Sequence, residues 1–149
     1  MNPDFRDILR ALCDADARFL VVGAYAVSVH AEPRATGDLD IWVEATRENA
    51  RRVYEALRAF GAPLHDLTVK DLASPDVVFQ IGLPPRRVDI LTSITGVGFA
   101  AAWPGRVEVT YGDVRVPVIG REALVQNKLA LGRPKDLLDV ELIRRRTPA

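Results

Sequence analysis

One cysteine and two histidines are all the thiol and imidazole that this chain of 149 residues carries. A single thiol, Cys13, closes no internal disulfide, and it offers no zinc-ligand set. It falls within a helical pattern and reads as a small buried apolar residue. His30 and His65 are too few and too isolated to form a histidine metal site. Surplus charge is also missing, because twenty basic and twenty acidic residues cancel. No bulk basicity therefore advertises nucleic-acid binding, although a local patch stays open. No apolar run approaches the roughly 20 residues needed to span a membrane, and no signal-peptide pattern precedes the first helical segment. The expectation is a cytoplasmic protein with no membrane association.

What is present is an ordinary globular composition, 48% apolar and 27% charged. A chain of this size buries roughly 70% of its unfolded surface as one domain. Phe5, Ile8, Leu9, Leu12 and Cys13 recur at helical spacing, which predicts a helix from Pro3 to Ala17. Arg18 to Val22 reads as a buried strand closed by Gly23, and Ala24 to His30 as a short helix. Pro33 and Gly37 punctuate a loop, and Leu39 to Val43 reads as the next strand. Thr46 caps a helix with Asn49 at the capping-box position, with Val53, Leu57 and Phe60 on its buried face and Gly61 at its end. Asp76 to Ile81 and Arg86 to Leu91 are strand-like, and Arg106 to Thr110 with Val114 to Val118 reads as a hairpin around Tyr111-Gly112-Asp113. Helices from Arg121 to Leu131 and from Pro134 to Arg145 close the chain. No repeat or interdomain linker interrupts the order, so a single mixed α/β domain over residues 1–149 is expected, with a core at about 18–118 and closing helices at about 121–145.

Chemistry enters at Asp38-Leu39-Asp40-Ile41-Trp42-Val43. Alternate residues of a strand share a face, so Asp38 and Asp40 project together. Two carboxylates in an apolar strand call for a cation. A magnesium ion with its preference for oxygen ligands meets that need, as would an arginine, of which Arg34 is nearest in sequence. Asp89 is a third acid inside an apolar strand. Beside Asp38 and Asp40 it would complete a ligand set for one or two magnesium ions, and the alternative is a salt bridge to Arg86 or Arg87. Gly23, between a strand and a helix, lets backbone approach a phosphate, or serves turn geometry alone. Lys128 reads equally as a phosphate contact and as part of a leucine-rich face. Asp136 reads as a dipole-compensating residue, and Lys135 with Asp139 as an i,i+4 surface pair.

This order of parts resembles the DNA polymerase β-type nucleotidyltransferase superfamily. There a hydrophobic strand and Gly-Gly or Gly-Ser precede Asp-x-Asp by about a dozen residues, with a further acid on a later strand. Here Gly23-Ala24 is followed by the thirteen residues Tyr25 to Gly37, then Asp38-Leu39-Asp40, and Asp89. Arg34-Ala35-Thr36-Gly37-Asp38-Leu39-Asp40, with Lys128, Arg133-Pro134-Lys135-Asp136 and Asp139, is similar to the AbiEii-like bacterial nucleotidyltransferases, a subgroup that includes toxin and phage-defence components. Ala24 departs from the usual second Gly or Ser, removing a hydroxyl that would bind phosphate.

The resemblance implies an α+β nucleotidyltransferase fold with a mixed β-sheet and flanking helices. It implies catalytic, metal-holding acids at Asp38, Asp40 and Asp89, a two-ion Mg2+ site, and a nucleotide cradle of Gly23, Ala24, Arg34, Thr36 and Lys128. The implied reaction moves a nucleoside monophosphate from a nucleoside triphosphate such as ATP to a hydroxyl of RNA, protein or a small molecule. A toxin or defence role would bring an antitoxin partner. Two alternatives stand beside it: an antibiotic-modifying transferase, with Asp66, Asp71 and Asp76 supplying an acidic cleft, and a catalytically retired domain that binds a nucleotide or a partner protein.

Overall fold

The structure, a computed structural model, describes residues 3–33, 37–84 and 86–146. Helix α1 (Pro3–Asp14) buries Phe5, Ile8, Leu9 and Leu12, the stripe its sequence spacing predicts. It ends earlier than Ala17 because Asp16 turns the chain with φ of 56°. Strand β1 (Phe19–Val22) is buried throughout and runs straight into α2 (Gly23–His30). Strand β2 (Leu39–Val43) has the expected limits, and α3 (Arg47–Phe60) follows.

Asn49 corrects the capping-box reading. Its backbone N–H does donate to Thr46 Oγ1, at 3.2 Å. Its side chain, however, accepts from the Arg18 N–H at 2.7 Å and donates to the carbonyls of Arg18 and Glu44, each at 2.9 Å. Only 3% exposed, it ties the entry of β1 to the exit of β2. The residue that would have closed a local cap is spent on a non-local strap.

The four-residue α4 (Val69–Leu72) carries a capping box from Thr68 and Asp71 that the sequence reading passed over. Strands β3 (Val78–Ile81) and β4 (Val88–Leu91) follow. Asp76 lies in a turn ahead of β3, with φ of 60°, rather than within a strand. Short α5 (Phe99–Ala102) runs into a 3₁₀ turn at Trp103–Gly105. Strands β5 (Val107–Tyr111) and β6 (Val114–Val118) form the expected hairpin, and α6 (Arg121–Leu131) and α7 (Pro134–Arg145) close the chain.

Among the described residues the strands form one mixed sheet in the order β3-β4-β2-β1-β6-β5. Strand β2 pairs antiparallel with β1 and parallel with β4. Helix α1 packs on α3, while α2 gathers with α6 and α7. Phe19, Leu20, Ile41, Trp42 and Ile90 fill the centre. The functional consequence lies in the register. Asp40 stands opposite Val22 on one side and opposite Asp89 on the other, so the central strand pairs bring Gly23 and both acids to one place.

Candidate active site

Side chains opposite one another on parallel strands lie on the same face, so Asp40 and Asp89 are direct neighbours. Asp38 sits just ahead of β2 on that face by alternation. Its Oδ1 accepts from the Arg87 backbone N–H at 2.9 Å, and the Leu39 N–H in turn donates to the Arg87 carbonyl at 2.9 Å. The three acids foreseen in the sequence are therefore brought together. A partly buried acid cluster needs compensation, and the cation beside it is Arg87, one of the two arginines weighed for Asp89. Its Nε donates to Asp89 Oδ1 at 2.8 Å, and its Nη2 lies 3.3 Å from both Asp89 Oδ2 and Asp38 Oδ2. Arg34 and Thr36, assigned to the nucleotide cradle, lie outside the described residues.

Asp40 makes no ion pair among the described residues. Its carboxyl is pushed up from 3.8 to about 6, first by burial and then by the charges of Asp89 and Asp38, with Arg87 pulling the other way. Gly23 lies directly against it. With φ of 68°, Gly23 adopts a left-handed conformation, and a Cβ placed there would fall 2.2 Å from Asp40 Oδ2. Glycine at this position is thus required twice, by the turn and by the carboxylate lying over it.

A cavity of about 410 Å³ opens beside this pair. Gly23, Ala24 and Asp40 form one wall, Ser93 and Thr95 another, and Asn127, Lys128, Arg133, Lys135 and Asp139 the third. Ser93, Thr95 and Asn127 went unnoticed in the sequence because small polar residues carry no pattern of their own. Their shared feature is position, on the segment after β4 and on the facing helix. Asp66, Asp71 and Asp76 do not line this cavity.

Lys128 is only 8% exposed, and its Nζ lies 3.4 Å from Asp136 Oδ1 and 3.2 Å from Asp139 Oδ2. Asp136 is fully buried and also takes the Arg133 guanidinium, at 2.5 and 3.1 Å. Chiefly through that Arg133 bond, and then through Lys128, its carboxyl is held down at about 2. The reading of Lys135 and Asp139 as a surface pair is corrected: Asp139 is buried and binds Lys128. The reason is helical geometry, since the first turn of α7 packs against the last turn of α6 and turns Asp136 and Asp139 inward. Asp136 does cap α7, as its place near the helix start suggested. Exposed Lys135 is left as a cavity cation with no carboxylate partner among the described residues.

Among the described residues no three His, Cys, Asp or Glu side chains are set to hold a metal ion as they stand. The donor set nevertheless suits a hard divalent ion: three carboxylates on one face, one of them without a cation and raised in pKa, and two bridged by a guanidinium.

No family model and no curated protein matches the chain in sequence. Solved structures do match in shape. The lincosamide antibiotic adenylyltransferase LnuA, in its lincomycin-bound crystal structure, aligns over 99% of this chain and 98% of its own, at 16% identity and a TM-score of 0.62. The antibiotic-resistance factor ANT(2'')-Ia aligns over 96% of this chain and 82% of its own, at 13% identity and a TM-score of 0.65. Its complex with adenylyl-2''-tobramycin gives 14% identity and a TM-score of 0.61.

The chain has the nucleotidyltransferase fold.

At these identities the likeness is one of architecture. Within the nucleotidyltransferase fold observed here, Gly23 and Asp40 line the cavity, while Asp89 adjoins Asp40 across the strand pair and, with Asp38, lies outside the cavity lining. No helix among the described residues is long and apolar enough to cross a membrane.

Proposed function

We propose that the chain is a magnesium-dependent nucleotidyltransferase, moving a nucleoside monophosphate from a nucleoside triphosphate to a hydroxyl. One observation carries this reading: Asp40 and Asp89 lie side by side across β2 and β4, with Asp38 adjoining, and Asp40 lines a cavity that Lys135 also lines. Asp38, Asp40 and Asp89 would hold the metal. When bound, magnesium would supply neutralisation of the phosphates and of the charge that develops between attacking and leaving oxygens.

The remaining work falls to the chain's own groups. The turn at Gly23 and Ala24 presents backbone N–H groups at the start of α2, where anions are favoured. With no hydroxyl at Ala24, those N–H groups and Lys135 hold the phosphates. Lys128, which also lines the cavity, keeps its wall in shape through two buried acids. The acceptor oxygen bonds to the α-phosphorus in line, the bond to pyrophosphate breaks, and the hydroxyl proton passes to the carboxylate of Asp89. Donors fixed before the reaction stabilise the transferring group without reorganising.

A small hydroxylated acceptor of antibiotic type is the reading favoured by these structural neighbours, whose bound ligands are lincomycin and adenylyl-2''-tobramycin. An RNA or protein acceptor, a toxin or defence role and an antitoxin partner rest on the motif resemblance alone. The retired-domain alternative draws its support from Ala24 and from Arg87 bridging the acids. Incubation with each α-labelled nucleoside triphosphate, magnesium, and either cell extract or a panel of aminoglycosides and lincosamides tests the proposal. Label on an acceptor, lost in Asp40→Asn and Asp89→Asn, is expected. Absence of transfer in every combination, with nucleotide bound equally without metal, would favour the retired domain.

A further inference from the structure

We propose that Arg87 is the resident counter-ion of the acid cluster and competes with the divalent ion for Asp38 and Asp89, so that metal binds weakly until nucleotide arrives with it. This rests on the metal-dependent reading above and concerns the order in which its ligands enter. Arg87 makes three side-chain contacts, to Asp89 at 2.8 and 3.3 Å and to Asp38 at 3.3 Å. The carboxylate oxygens it engages belong to two of the three acids a divalent ion would need. Each of the four oxygens of Asp38 and Asp89 already meets Arg87, through its backbone N–H or its guanidinium, and a dication seated on those oxygens would lie close to the guanidinium and be repelled by it.

The surroundings allow the side chain to leave. Its backbone is pinned on both sides of the Cα, its N–H donating to Asp38 Oδ1 and its carbonyl accepting from the Leu39 N–H. Arg87 can thus swing its side chain while β4 keeps its register on β2. That side chain is 27% exposed and stands at the outer edge of the site, so its departure opens no hole in the core. Asp40 is the acid that Arg87 leaves without an ion pair. A metal ion arriving alone meets one carboxylate that the guanidinium does not hold. A nucleoside triphosphate contributes oxygen ligands to the ion and an anionic partner for the displaced guanidinium, which shifts the exchange in favour of metal. Arg87 is therefore a positioning residue, acting through the carboxylates it holds.

The test uses the full chain and Mn2+ as the probe, with free ion followed by electron paramagnetic resonance. Without nucleotide, Arg87→Ala is expected to bind Mn2+ about ten- to a hundredfold more tightly than wild type, the worth of one or two charged hydrogen bonds. Arg87→Lys, whose point charge cannot span both acids, should fall between. Adding Asp89→Asn to Arg87→Ala should abolish the gain. With a non-hydrolysable nucleoside triphosphate present, wild type and Arg87→Ala should converge to within a few-fold.

A simple strut would lower the melting temperature on mutation and leave nucleotide-free Mn2+ affinity unchanged, and that result overturns the proposal. Should Arg87→Ala fail to fold, Arg87→Lys and Arg87→Met carry the same comparison. If wild type binds Mn2+ with nucleotide and no Arg87 variant binds it more tightly without, the competition is wrong and the functional reading stands. If no form binds Mn2+ even with nucleotide, both fall.

Discussion

Replacing Gly23 by alanine separates what the turn requires from what the site requires. Gly23 has φ of 68°, so any L side chain there pays for the left-handed conformation, about 1 kcal/mol. Gly61 provides the control: it has φ of 95° and nothing within 4 Å of an added Cβ, so Gly61→Ala incurs the backbone cost alone. At Gly23 the new methyl would sit 2.2 Å from Asp40 Oδ2, about 1 Å inside ordinary contact. Asp40 cannot retreat freely, with Asp89 on its far side. Overpacking of this kind adds about 1–3 kcal/mol. In a domain of this size each kcal/mol shifts the melting temperature by roughly 3 °C. Gly61→Ala should therefore melt about 3 °C below wild type and Gly23→Ala about 6–12 °C below. The functional effect should be larger, because a displacement near 1 Å at a reacting group costs on the order of a hundredfold. Calorimetry gives the melting temperatures, and titration with a non-hydrolysable nucleoside triphosphate and magnesium gives binding. If Gly23→Ala matched Gly61→Ala in melting and kept wild-type metal-dependent binding, the contact between Gly23 and Asp40 would have no functional meaning.

Other substitutions probe the remaining parts. Asp40, raised from 3.8 to about 6, favours the folded state while protonated; its contribution is full below pH 3.8 and is lost as pH rises through 6. The shift corresponds to about 3 kcal/mol, so Asp40→Asn should be the more stable protein in metal-free buffer at pH 8 and lose that advantage near pH 4, as denaturant melts would show. Lys128→Ala strips a cation from two buried acids and should destabilise by about 3–5 kcal/mol. Lys135→Ala should leave stability within about 0.5 kcal/mol and weaken triphosphate binding roughly tenfold; the reverse pattern would return Lys128 to the phosphate role. Asn49→Ala orphans the strap between β1 and β2 and should cost about 2–4 kcal/mol in urea unfolding with triphosphate affinity, measured in native buffer, unchanged.

The parts legible in sequence were those whose signal is local. The limits of β2 and α7, the stripe of α1 and the hairpin of β5 and β6 all follow from periodicity and turn chemistry within a few residues. The convergence of Asp38, Asp40 and Asp89 was legible because an acid inside an apolar strand is costly unless compensated. Arg87 was also among the partners the sequence offered for Asp89, but its reach to Asp38 was not legible. That second contact depends on the alignment of β4 on β2, a non-local fact, whereas the spacing of two from Asp89 is local. Asn49 and Asp139 escaped for a related reason. Each fits a common local pattern, a capping position and an i,i+4 pair, and tertiary packing turned each toward a distant partner. Short α4 and α5 are too brief for periodicity to mark them.

A crystal of the full chain grown with Mn2+ and a non-hydrolysable nucleoside triphosphate bears on the heart of the matter. Anomalous scattering should show the metal ligated by oxygens of Asp38, Asp40 and Asp89, with Arg87 released and the phosphates between Gly23 and Lys135. Nucleotide seated elsewhere, or metal absent from the three acids while Arg87 still bridges Asp38 and Asp89, would contradict it.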